Sequence, residues 1–127
     1  MTELEIAIRA QPAELRRLAG LELPDHAERL TEAERVWIVG TGTSLHAAEL
    51  GAAMFVRAGI DARAASSMEF ASSAALRSGD GVVVVTHTGE TAYAQAVRKL
   101  ALDTAATTLS ITATGVGWPE AVETGDR

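Results

Sequence analysis

Two stretches carry residues whose types and spacing suit anion chemistry: Gly40-Thr41-Gly42-Thr43-Ser44 and Thr86-His87-Thr88-Gly89-Glu90-Thr91. Each clusters short hydroxyls around glycine just where a helical pattern begins. A helix start offers unpaired backbone N–H groups and the positive end of the helix dipole. Together with several hydroxyls, such a spot suits a phosphate. Threonine before a helix also caps it without binding anything, so both readings are open from these residues. A P-loop is excluded, because the chain has no Gly-Lys-Ser or Gly-Lys-Thr. A dinucleotide fingerprint is disfavoured: the third glycine of G-x-G-x-x-G falls at Leu45, whose bulk opposes close helix packing. The nearest acidic candidate for a ribose, Glu69, lies beyond the second strand rather than at its tip.

The elements that must position these stretches are visible as apolar runs. Val36-Trp37-Ile38-Val39 and Val82-Val83-Val84-Val85 are unbroken runs of β-formers, as expected for central parallel strands covered on both faces. Between them, Ile60–Ser66 reads as a weaker strand, and Met68-Glu69-Phe70 opens a short helix ending near Arg77. Leu45–Ala58 reads as a well-buried helix, capped by Thr43 or Ser44 and stopped by Gly59. Thr91–Leu102 is a further helix, and Thr107–Thr112 a fourth strand. The alternation predicts a three-layer α/β/α fold with a doubly wound parallel sheet, order 2-1-3-4, and right-handed crossovers. In that order strands one and three are neighbours whose helices leave to opposite faces. Both hydroxyl-rich loops then line one crevice at the strands' carboxyl ends.

The flanks are less regular. Residues 1–34 read as a helical segment with Ile6, Leu15, Leu18 and Leu21 buried, broken at Gln11-Pro12 into two helices. Leu23-Pro24-Asp25 makes a corner before a short polar surface helix that contains Leu30, with His26 solvated. Residues 115–127 show a possible helical turn at Pro119–Glu123 and no strand-like run. A fifth strand is therefore expected to be missing, with the domain at 35–127 truncated near Gly125-Asp126-Arg127.

Composition narrows the function classes. The 127 residues are 47% hydrophobic and 22% charged, suiting one globular domain. Eleven Lys and Arg against 17 Asp and Glu give a formal charge of -6, which does not attract nucleic acid or an anionic membrane. The absence of cysteine excludes disulfides, thiolate metal sites and a cysteine nucleophile, with a reducing cytoplasm as the default compartment. No signal peptide or membrane span is expected, and no cofactor or metal site is indicated.

Gly42-Thr43-Ser44 after the first strand, Ser67-Met68-Glu69-Phe70 after the second and Thr86-His87-Thr88-Gly89-Glu90-Thr91 after the third resemble the sugar isomerase (SIS) domain. They are most similar to the first such domain of glutamine-fructose-6-phosphate aminotransferase and its glutaminase-free relatives, the sugar-phosphate deaminases and ketose/aldose isomerases. Glu5-Ile6 and Gln11-Pro12 also resemble the opening of that module. The resemblance implies a phosphosugar site of the fructose 6-phosphate or glucosamine 6-phosphate class. Gly42, Thr43 and Ser44 would form its first loop. Thr86, His87, Thr88, Gly89 and Thr91 would match the family's Ser-Gln-Ser-Gly-Glu-Thr phosphate loop. Here two serines are threonines, which keep the hydroxyl, and glutamine is His87, which keeps a donor but changes bulk and possible charge.

The resemblance also bears on catalysis. Without cysteine the chain cannot hydrolyse glutamine as the aminotransferase does, and the family's acid-base residues lie largely in a second SIS domain and C-terminal tail. Aldose-ketose isomerisation needs a base near a carbon-bound proton. Glu69, Glu90, His46 and His87 are the groups that could serve, with Glu69 the candidate. Glu90 in the first helical turn more simply complements the dipole, and His46 is more simply an amphipathic residue packed at a helix start. The reading is half of an aminotransferase-like isomerase or deaminase of amino-sugar metabolism, inactive in isolation. A non-catalytic phosphosugar sensor is the alternative. Small residues Ala47, Ala48, Gly51, Ala52 and Ala53, with an unpaired fourth-strand edge, predict pairing with a second SIS domain or a second copy.

Overall fold

The computed structural model describes residues 1–73 and 76–125. Helix α1 (Glu3–Ala19) and a 3-10 helix (Asp25–Glu32) precede β1 (Val36–Gly40), α2 (Thr43–Arg57), β2 (Ala62–Ser66) and α3 (Ser67–Ser73). Strand β3 (Gly81–Val85), α4 (Ala92–Asp103), β4 (Thr107–Thr112) and β5 (Ala121–Glu123) follow. The sheet has the order β2-β1-β3-β4-β5, and every pairing is parallel. This is the expected doubly wound α/β arrangement with one strand more than expected.

The valine runs are continuous because both faces of the central strands are covered. Side chains alternate across a strand, so Val36, Ile38 and Val83 meet Ala48 and Ala52 of α2 and Leu30 of the 3-10 helix on one face. On the other face, Val39, Val82 and Val84 pack with Phe70 of α3 and Val97 and Ala101 of α4. Trp37 meets Phe70 edge to face, ring centroids 5.4 Å apart. The helices after β1 and β3 therefore lie on opposite faces, which opens the crevice between those strand ends.

Several expectations are corrected. A fifth strand is present, where a helical turn was expected: Ala121–Glu123 pairs with Ser110–Thr112, so that part of the β4 edge is not free. Three residues after Pro119 carry too little local pattern to be read as a strand; the pairing with β4 makes them one. Helix α1 runs through Pro12 without a corner and has no buried residue. Ile6 and Leu15 are exposed, because no sheet face lies beneath this helix. Residue 8, whose carbonyl the proline deprives of its partner, sits on the exposed helix, where water can satisfy it. The start is fixed by a capping box between Thr2 and Glu5. The far end is tied to the domain by Arg17, which donates to the Thr124 carbonyl.

Helix α2 is half covered rather than well buried: Ala48 and Ala52 face the sheet, whereas Leu50, Met54 and Val56 are exposed. One sheet face covers one stripe of a helix, whatever the helix's composition. Its N-cap is Gly42 and its C-cap Ala58, so neither Thr43 nor Ser44 caps it. Strand β2 starts at Ala62. Helix α3 is described over Ser67–Ser73, and its expected continuation falls on residues 74 and 75, outside the described residues, as the expected stopping point does at 126 and 127. His26 is half-buried, its Nε2 3.3 Å from the Glu120 carbonyl oxygen.

Candidate functional site

At the carboxyl ends of β1 and β3 a cleft of about 300 Å³ is lined by Thr41, Ser44, Ser67, Thr86, His87, Thr88 and Thr91, together with the apolar Val85 and Ala94. Its polar lining is almost entirely hydroxyl, with His87 the single titratable side chain among the described lining residues. A larger cavity of about 600 Å³ lies elsewhere, between the 3-10 helix and the end of α2, lined mainly by Leu23, Pro24, Phe55, Ile60 and Leu109. Its apolar walls offer little to orient a polar ligand, so the smaller cleft is the candidate site.

Local structure explains how the hydroxyls are presented. Gly89 N–H donates to Thr86 Oγ1 at 3.3 Å and Glu90 N–H to Thr88 Oγ1 at 3.1 Å. Each hydroxyl thus accepts a bond that shapes the loop and retains its own proton to donate. Thr91 occupies the N-cap of α4, but its side chain makes no capping hydrogen bond, and neither does any side chain at α2. The capping reading therefore does not use up Thr91 or Ser44, and the amides of α4's first turn lie beside the cleft. Gly42 supplies the turn into α2 with φ 59°.

The expected residues divide accordingly. Ser44, Thr86, His87, Thr88 and Thr91 come together in the cleft. Gly42, the N-cap of α2, and Thr43, its first residue, are not lining residues, and Gly89 shapes its loop from a buried position. Glu69 lies apart, in a groove with Arg35, Trp37, Phe70 and Ser73 at the β2 side of the sheet. His46 is solvent-facing, with Nδ1 3.7 Å from Glu49 Oε2. Glu90 is exposed and outside the lining. Two polar lining residues were not among the expected ligands: Thr41, and Ser67, which is almost fully buried. Their signal was position, one immediately after each of the first two strands. Among the described residues no cluster of His, Asp or Glu could hold a metal ion, and no helix is long and apolar enough to cross a membrane.

The SIS domain family model matches residues 29–116, well over half the chain. The chain belongs to the SIS domain family. No sequence among curated proteins matches it. Among solved structures, this SIS domain is similar to tagatose-6-phosphate ketose/aldose isomerase from Escherichia coli, with TM-score 0.74 and 19% identity over 99% of this chain and 40% of that one. It is also similar to the sugar isomerase domain of the RpiR transcription factor from Sphaerobacter thermophilus, with TM-score 0.75 and 16% identity over 97% and 77%. A third similar structure is the C-terminal domain of glucosamine-fructose-6-phosphate aminotransferase from Francisella tularensis, with TM-score 0.74 and 19% identity over 92% and 38%. The SIS domain described here therefore spans about two fifths of each enzyme chain and three quarters of the regulator's domain.

Proposed function

We propose that this SIS domain binds a phosphorylated sugar, of the fructose 6-phosphate or glucosamine 6-phosphate class, with its phosphate on the Thr86–Thr91 loop. The observation that carries the reading is the convergence of six hydroxyls and the amino end of α4 in one cleft. The phosphate accepts hydrogen bonds from the hydroxyls of Thr86, Thr88 and Thr91 and from the helix amides; the sugar hydroxyls extend toward Ser44, Ser67 and His87. The structures it resembles include an isomerase named for tagatose 6-phosphate and an aminotransferase named for fructose 6-phosphate, in support of that ligand class. We further propose a place within an isomerase or deaminase of amino-sugar metabolism in the cytoplasm. A second SIS domain, in the same chain or another copy, would cover the exposed Leu50 and Met54; light scattering that shows a monomer at every concentration would count against a second copy.

Calorimetry with fructose 6-phosphate and with fructose tests the ligand. The phosphorylated sugar should bind and fructose should not; equal binding would sink the reading. Thr88→Val keeps the shape of the side chain and removes the hydroxyl. Loss of a hydrogen bond to a charged group costs about 1.5 to 3 kcal/mol, or roughly ten- to a hundredfold in affinity.

A sensing role is the second reading, favoured by the lack of a carboxylate among the cleft's described lining residues and by likeness to the regulator's domain. Glu69 remains the base we propose for an assembled enzyme, but it lines another groove in this chain. The same preparations in deuterated water should therefore show no proton exchange at the first carbon of fructose 6-phosphate, the carbon beside its carbonyl whose proton an isomerase base removes. Robust exchange abolished by Glu69→Gln would make the chain an isomerase by itself.

A further inference from the structure

Behind the Thr86–Thr91 loop lies the segment between β4 and β5. Gly89 is buried with φ 71°, and a Cβ built on it would lie 2.9 Å from Trp118 Cζ2, 3.2 Å from Trp118 Cη2 and 2.9 Å from Val116 Cγ1. On its other side, Gln95 Nε2 donates to the Gly89 carbonyl at 3.0 Å. Trp118 is itself held. The Arg98 guanidinium sits 4.5 Å from its ring centroid, and Arg98 is forked onto the Glu120 carboxylate, with Nη2 3.0 Å from Oε2. Ser110 Oγ donates to the same carboxylate at 3.1 Å. Burial pushes the Glu120 carboxyl up, but the bonds from Arg98 and Ser110 outweigh it and hold the group below the usual range. Helix α4, strand β4 and the approach to β5 thus clamp one indole against the back of the loop, while Trp118 itself is absent from the cleft lining.

We propose that Trp118 is a positioning residue for anion binding, whose ring holds Gly89 in the left-handed conformation at which the loop hydroxyls and the α4 amides converge. A rigid planar ring restricts the loop without touching the ligand, so the ordering cost falls on the fold rather than on the binding step. The ligand in this inference rests on the phosphosugar reading; the effect on the loop rests on the contacts alone.

Trp118→Ala and Trp118→Phe, made in the full chain, test it through affinity for fructose 6-phosphate and through hydrogen exchange of the loop amides against those of β1. Trp118→Ala should weaken binding about tenfold or more, since loosened positioning costs affinity directly. Exchange at Gly89 should accelerate by a similar factor, with β1 unchanged. Trp118→Phe, one ring shorter, should give intermediate values on both readouts. Parent-like exchange at Gly89 in Trp118→Ala, or acceleration equal in the loop and β1, would overturn the proposal. If Trp118→Ala does not fold, Trp118→Phe decides by the same comparison of loop with β1. If the parent binds no fructose 6-phosphate, the phosphosugar reading fails while the exchange comparison still decides the role of Trp118.

Discussion

Gly40→Ala is expected to abolish the phosphosugar binding proposed above and to lower the melting temperature by roughly 10 °C. A Cβ on Gly40 would lie 2.6 Å from both the carbonyl carbon and the oxygen of Ser44 and 2.9 Å from the Leu45 nitrogen. All three are backbone atoms, so no side-chain rotation relieves the clash. The first turn of α2 must move away from β1, taking Thr41 and Ser44 out of register with the β3 loop. Overpacking in a tight interior costs about 1 to 3 kcal/mol and occasionally more. The upper part of that range is apt here, because the obstruction is backbone. At about 4 °C per kcal/mol for a domain of this size, the shift is readily seen by calorimetry. A variant that melts within about 2 °C of the parent and still binds fructose 6-phosphate would show that the helix start tolerates the displacement.

Asp80→Asn should destabilise the domain by about 3 kcal/mol without touching the cleft. The Asp80 side chain is fully buried at the entry to β3, where Arg35 forks onto it with Nε at 3.1 Å from Oδ1 and Nη2 at 2.7 Å from Oδ2. The backbone N–H of Arg77 donates to Oδ2 at 3.0 Å and Trp37 Nε1 at 3.3 Å. Removal of one partner from a buried pair leaves the other charge poorly compensated; the low end of the usual cost applies because Arg35 keeps some access to water. Burial raises the Asp80 carboxyl's pKa, but the bonds from Arg35, Arg77 and Trp37 prevail and hold it below the ordinary aspartate value. A depressed folded pKa gives stability that is present above the unfolded pKa and lost as pH falls through the folded one. The parent should therefore lose stability below about pH 4, and the gap between parent and Asp80→Asn should narrow there. Melting curves that stay a constant distance apart from pH 7 to pH 3 would contradict this assignment.

The sequence by itself determined the layered α/β class, the first four strands in their order, and the loops that form the cleft. These are local signals. An unbroken run such as Val82–Val85 has one economical placement, between two helical layers, and a glycine and hydroxyl cluster after such a run sits at the carboxyl end of the sheet. The family resemblance rested on the same short stretches. Only the tertiary structure decided which residues secure that frame. Gly40 reads as a loop glycine, yet its necessity comes from the backbone of α2 lying against it. Asp80 stands between Gly79 and Gly81, a turn-like setting, yet it anchors Arg35, 45 positions earlier. Ala121–Glu123 becomes a strand because Ser110–Thr112 offers it an edge, and Glu69 faces a different groove because α3 sets its direction. Likewise, α1 has apolar residues at helical spacing but no surface beneath it. Propensity and periodicity act over a few neighbouring residues, whereas these outcomes depend on contacts between segments brought together by sheet register, which no local pattern encodes.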